Sequence, residues 1–119
     1  MDCIFCKIVN GDIKSYKIFE DELVIAFLDI NPMAPGHTLI VPKKHYKDIE
    51  DIDFNTFSHI LNVAKLIKTR MEEKLNIDGL TLIQNNGDVQ DVKHFHLHLK
   101  PHYKENIELD IKKVYDLLS

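Results

Sequence analysis

His94, His96 and His98 alternate with Phe95, Leu97 and Leu99, so three of the chain's seven histidines fall in one short run. An extended segment sends successive side chains to opposite faces, which puts the three imidazoles on one face and the three apolar residues on the other. A row of imidazoles on a rigid element can address a metal, a phosphate or one another's protons. A neutral imidazole is a nucleophile towards phosphorus or carbon, and a protonated neighbour can donate to a developing oxyanion. His37, following a stiff loop, can join this face, and the Asn85-Asn86-Gly87 turn offers further donors. A cationic, donor-rich site without an obvious carboxylate base favours phosphoryl chemistry. A catalytic zinc held by three histidines is the rival reading.

A second set of candidate ligands opens the chain. Cys3 and Cys6 are the only cysteines, and a reducing compartment keeps such a pair as thiols. Two thiolates supply half of a tetrahedral zinc site and require two more ligands from elsewhere.

The elements that must position these residues follow from pattern. Cys3 to Val9 reads as a short helix closed by Asn10-Gly11-Asp12. Tyr16 to Phe19 and Leu23 to Asp29 flank Glu20-Asp21-Glu22 as a hairpin. Asn31-Pro32-Met33-Ala34-Pro35-Gly36 is a stiff loop, and a third strand runs from His37 to Val41. Asp53 is the N-cap of a long helix whose apolar stripe is Phe54, Phe57, Ile60, Leu61, Ala64, Ile67, Met71 and Leu75. Asp78-Gly79 breaks it, Leu80 to Ile83 forms a fourth strand, and the histidine run is the fifth. Ile107, Ile111, Val114, Tyr115 and Leu118 have the spacing of a C-terminal helix. The expected class is α+β: a five-stranded, mainly antiparallel sheet with one long helix, a short N-terminal helix and a C-terminal helix.

A length of 119 residues suits one domain over 1–119, with a core over 3–101 and a helical extension over about 103–119. Fifteen basic against nineteen acidic residues give a net charge of −4 without a basic block, which argues against duplex nucleic acid as a partner. No window reaches the length of a membrane span, and Met1-Asp2-Cys3-Ile4-Phe5-Cys6 lacks the pattern of a secretory leader. A cytoplasmic location with no membrane partner is expected.

Taken together, the His94 to Leu99 run, Phe19-Glu20-Asp21, Ala26-Phe27-Leu28-Asp29-Ile30, Ala34-Pro35-Gly36-His37 and Ile40-Val41-Pro42-Lys43-Lys44-His45 resemble the histidine triad (HIT) nucleotide-binding proteins. The branch resembled is that of nucleoside phosphoramidases and small nucleotide hydrolases. The resemblance implies a HIT-like fold, a homodimer with a continuous sheet, and a purine nucleotide or nucleoside phosphoramidate as ligand. It implies His96 as the nucleophile at the α-phosphorus, forming a nucleotidyl-histidine, with His98 and His37 at the phosphate oxygens. Asp29 would accept from the ribose hydroxyls. Ile18, Phe19, Phe27 and Ile30, with Phe5, Ile8 and Ile13, would form the base pocket, and Asn85, Gln90 and Val92 the phosphate loop. In metal-containing relatives a Cys-x-x-Cys pair joins two histidines, here Cys3, Cys6, His45 and His94, around a structural zinc.

The chain also departs from the family pattern. Only Asp88 and Val89 separate Gly87 from Gln90, which shortens the phosphate loop, and Asp91 stands where many phosphoramidases carry serine. A carboxylate there repels phosphate. Lys100-Pro101-His102 replaces the usual apolar-Pro-Arg ending. The expected function is therefore hydrolysis or nucleotidyl transfer at a phosphoramidate or phosphoanhydride bond, and the alternative is a non-catalytic nucleotide- or partner-binding module on the same fold.

Overall fold

The computed structural model describes residues 3–119; Met1 and Asp2, which open the stretch inspected for a leader, lie outside them. The helices are α1 (Ile4–Val9), α2 (Phe54–Leu75) and α3 (Ile111–Leu118), and the strands are β1 (Lys17–Glu20), β2 (Val24–Leu28), β3 (Thr38–Pro42), β4 (Gly79–Ile83) and β5 (Leu97–His102). A 3-10 turn covers Gly87–Val89. The five strands form one sheet in the order β1-β2-β3-β5-β4, and every neighbouring pair is antiparallel.

Both faces of the sheet are covered, which is why β2 and β3 read as unbroken apolar runs and are buried throughout. Val24, Ala26, Leu28, Ile40, Leu97 and Leu99 pack towards α2 and α3. Ile25, Phe27, Leu39 and Val41 pack towards α1, against Phe5 and Ile8. Period-two alternation thus assigns each strand residue to one of two cores.

Asp53 caps α2 as the sequence predicts, its side chain accepting from Thr56 N, and Asn76 closes the helix in the left-handed conformation at φ 56°. The buried stripe is Ile60, Val63, Ala64, Ile67, Met71 and Leu75. Phe54 and Leu61, expected in it, are instead exposed at 78% and 39%.

Two further expectations need correction. The fifth strand begins at Leu97, not at His94, because the backbone just before it is engaged elsewhere: Phe95 N donates to Tyr46 O at 2.7 Å. The C-terminal helix begins at Ile111 with Asp110 as N-cap, so Ile107 lies outside it. Val114 and Leu118 are buried, and Arg70 Nη1 donates to Leu118 O at 2.9 Å, which ties α3 to α2. No described helix is long and apolar enough to cross a membrane.

Candidate functional site

Phe95, Leu97 and Leu99 enter the α2-side core, so His96 and His98 project to the α1 side. His37 immediately precedes β3, and the pairing of Leu39 with His98 brings the ends of β3 and β5 together. His37, His94, His96 and His98 are all buried.

The hydrogen bonds determine where the protons sit. Met33 N donates to His37 Nδ1 at 3.1 Å, so Nδ1 is an acceptor and the neutral ring carries its proton on Nε2. That Nε2–H donates to His98 Nδ1 at 3.0 Å. His98 therefore carries its own proton on Nε2. His96 Nδ1–H donates to His94 O at 2.7 Å, which leaves a lone pair on Nε2. Among the described residues His96 Nε2 is the one buried side-chain polar atom without a hydrogen-bond partner. The nearest carboxylate oxygen, Asp91 Oδ1, lies 3.4 Å away on an exposed side chain, close enough to act electrostatically but outside hydrogen-bonding geometry.

Burial lowers the pKa of both His37 and His98; for His98 the charges of His96 and His37 add to the effect. Both rings are thus neutral donor-acceptors at neutral pH. The proton order also bears on the reading of a zinc on the histidine face: with Nδ1 of His98 accepting and Nε2 protonated, that ring presents no free lone pair to a metal.

A cleft of about 260 Å³ is walled by Phe5, Ile8, Phe27, Asp29, Ile30 and Val92, of which Phe5 reaches His96 and Asp29 reaches His37. Ile13 and Asp91 also line it. The ring of Phe5 meets that of His96 edge-on at a centroid distance of 5.0 Å. Asp29 Oδ1 accepts from Asn31 N at 2.9 Å, and its other oxygen lies 3.7 Å from His37 Nε2.

Ile18 and Phe19 are not brought to this cleft. The pairing of β1 shifts register between Lys17 and Phe19, and both side chains join the α2-side core. Gln90 is buried with its amide committed to backbone, donating to Lys47 O at 2.8 Å and accepting from Gly87 N at 3.1 Å, so it braces the loop. Asn85 lies in the turn after β4, half-buried, and its backbone carbonyl accepts from Gln84 Nε2. Sequence reasoning missed Tyr103, whose hydroxyl donates to Pro35 O at 2.6 Å; nothing local in the sequence marks it.

The second cluster gathers Cys3, Cys6, His45 and His94, whose ligand atoms all lie within 4.8 Å of one another. His45 Nδ1 is 3.2 Å from Cys6 Sγ and 3.1 Å from His94 Nδ1. His94 Nδ1 is 3.4 Å from Cys3 Sγ and 3.5 Å from Cys6 Sγ. Ligands of a tetrahedral zinc stand roughly 3.3–3.8 Å apart, from Zn–N near 2.0 Å and Zn–S near 2.3 Å. His94 Nε2–H donates to Pro42 O at 2.8 Å, which turns the Nδ1 lone pair inwards as an outer-shell partner does. Burial lowers the pKa of His94 to about 4, keeping it neutral, and burial together with Cys3 raises that of the Cys6 thiol. The residues fit a metal ion whose binding would release thiol protons.

The family model described as HIT domain matches residues 10–105. The chain is 45% identical to an uncharacterised HIT-like protein of Methanocaldococcus jannaschii, over 90% of this chain and 84% of that protein. It is 41% identical to the adenosine 5'-monophosphoramidase of Saccharomyces cerevisiae, over 83% of this chain and 61% of that enzyme. A zinc-bound histidine triad family protein from Mycobacterium smegmatis superposes with a TM-score of 0.92 at 35% identity, covering 99% of this chain and 91% of that one.

Proposed function

The chain belongs to the HIT domain family, and on that premise we propose that it is a nucleotide hydrolase or transferase acting through His96 at the α-phosphorus of a purine nucleotide or nucleoside phosphoramidate. The observation that carries this reading is the orphan lone pair of His96 Nε2, buried and held by the bond from Nδ1–H to His94 O. In the first step Nε2 forms a bond to phosphorus while the bond to the leaving nitrogen or oxygen breaks. The departing amine or alkoxide takes its proton from solvent, while His98 Nε2–H donates a hydrogen bond to a phosphate oxygen and His37 holds that proton order through the shared hydrogen bond. Water then attacks phosphorus and loses a proton to solvent, the bond from phosphorus to Nε2 breaks with its electron pair returning to His96, and the nucleoside monophosphate is released. Phe5, Ile8, Phe27, Ile30 and Val92 enclose the base, and Asp29 accepts from the ribose diol.

Zinc is the ion proposed for Cys3, Cys6, His45 and His94, a closed four-ligand set that supplies a structural crosslink rather than an open coordination position. The exposed edge of β4, with Leu82 46% exposed, is the proposed pairing surface for a homodimer; light scattering of the purified protein should give twice the chain mass.

The reaction is tested by quenching the protein with an adenosine phosphoramidate and weighing it intact. A nucleotidyl adduct should form on the wild type and be missing from His96→Ala; an adduct that persists in the variant removes His96 from this role. Asp91, 3.4 Å from the attacking nitrogen, favours one second reading, nucleotide binding without turnover. Stoichiometric purine monophosphate binding, with neither adduct nor product, would select it.

A further inference from the structure

The segment beyond β5 is not used by the chemistry above, yet it packs against the loop that carries His37. Leu109, Ile111 and Val114 sit against Pro32 and Pro35, and only about 20 Å³ of space remains between these residues and His37. That is room for about one water molecule.

The loop from Asp29 to His37 is closed by its own hydrogen bonds: Asp29 N donates to His37 O at 2.9 Å and His37 N to Ala34 O at 3.0 Å. Pro32 and Pro35 contribute no N–H. Gly36 takes φ +93°, and a Cβ there would lie 2.9 Å from Leu75 Cδ1 and 3.3 Å from Pro101 Cγ, so the loop is already pressed against the end of α2 and β5. From outside, the Thr38 hydroxyl donates to Gly36 O at 2.7 Å, and Tyr103, 68 residues away in sequence, donates to Pro35 O at 2.6 Å.

We propose that Tyr103 is a positioning residue for the His37–His98 pair: its hydroxyl anchors the loop through Pro35 O, so that Met33 N–H stays on His37 Nδ1 and the two rings keep a single proton order. The coupling is short and directional. Met33 lies two residues before the anchored carbonyl and His37 two residues after it. If the loop relaxes, Met33 N–H leaves Nδ1, His37 is free to adopt its other tautomer, and His98 no longer holds its proton on Nε2. Desolvation raises the Tyr103 pKa to about 12, so the hydroxyl remains a donor over the working range.

The proposal rests on the reading of His98 Nε2–H as a hydrogen-bond donor to the phosphate, but its first readout does not. Nitrogen-15 spectra of the imidazoles at pH 7 should show, in the wild type, His37 with an unprotonated Nδ1 and a protonated Nε2. In Tyr103→Phe this pattern should give way to a mixture of tautomers, and kcat on an adenosine phosphoramidate should fall about three- to tenfold with KM changed less than twofold. Unchanged nitrogen shifts in Tyr103→Phe overturn the proposal. Leu109→Ala loosens the same packing while leaving the hydroxyl in place; it should lower Tm without altering the shifts, and if it alters them as Tyr103→Phe does, the assignment to the hydroxyl is overturned. Altered shifts in a protein without turnover would sink the hydrolase reading alone, whereas turnover with unaltered shifts and kcat in Tyr103→Phe would sink the positioning role alone.

Discussion

Two groups of imidazoles, all buried but the half-buried His45, lie side by side and solve the same desolvation problem in opposite ways. In the Cys3, Cys6, His45 and His94 cluster the ligand atoms converge on a common centre, all within 4.8 Å of one another and four of the pairs at 3.1–3.5 Å. Such converging groups are held apart either by thiol protons or by a cation that displaces them. In the His37, His96 and His98 group, donors and acceptors alternate instead. Met33 N–H, His37 and His98 form one chain, and His94 O takes the remaining proton of His96. That arrangement satisfies every buried nitrogen but one, and the exception, His96 Nε2, lies 3.4 Å from the cleft residue Asp91. Proton order therefore separates a metal cage from a reactive face more sharply than residue type does.

The comparison is broken most severely at His96. His96→Asn should abolish adduct formation and lower turnover by at least about a thousandfold, since it deletes the attacking atom. Elemental analysis should show its metal content unchanged. A variant that also loses its metal would show that the two groups are one unit.

The next effect belongs to the other group. Cys3→Ser should cost about 100-fold or more in zinc affinity, and added zinc should no longer raise Tm as it does in the chelated wild type. Binding titrations and thermal melts measure both.

A smaller effect concerns pH. Burial holds His37 and His98 below the ordinary value of 6.5. Below that value the unfolded chain binds more protons than the native one, so stability falls as the pH drops through 6.5 towards the lowered native values. His37→Asn should reduce the slope of Tm against pH between about 6.5 and 5, measured by thermal unfolding in matched buffers. An undiminished slope would assign the acid sensitivity to the metal ligands.

The smallest change is expected from Asp91→Asn. Removing a charge 3.4 Å from His96 Nε2 should lower KM for anionic nucleotides about two- to fivefold, because the side chain is exposed and water screens it.

The fold was legible where pattern and burial coincide. Asp53 and the stripe from Ile60 to Leu75 announce α2, and the alternation of Phe95, Leu97 and Leu99 assigns the histidines to the opposite face. Tertiary competition hid the rest. Phe95 N pairs with Tyr46 O rather than with a neighbouring strand, which delays β5 to Leu97. The register shift in β1 carries Ile18 and Phe19 away from the cleft, and no residue type in that segment signals it. Gln90 is a phosphate contact by the family resemblance, but its amide is spent on Lys47 O and Gly87 N. Cys3 and Cys6 marked half of a metal site, whereas His45 and His94 came only from the family resemblance and are joined to it by the packing of α1 on the sheet. Tyr103 needed the full fold, because its partner is 68 residues away.

The strand order β1-β2-β3-β5-β4 places the last strand of the chain between two made earlier. The first three strands are consecutive neighbours in sequence and in space, so they can pair locally and early. β5 can enter only after α2 and β4 have been synthesised, and its entry closes a loop of 61 residues between His37 and His98. The proton chain thus comes into being with the slowest, most distant contact in the sheet. A chain that has formed its helices and hairpins but has not threaded this strand holds most of its secondary structure and none of its reactive face.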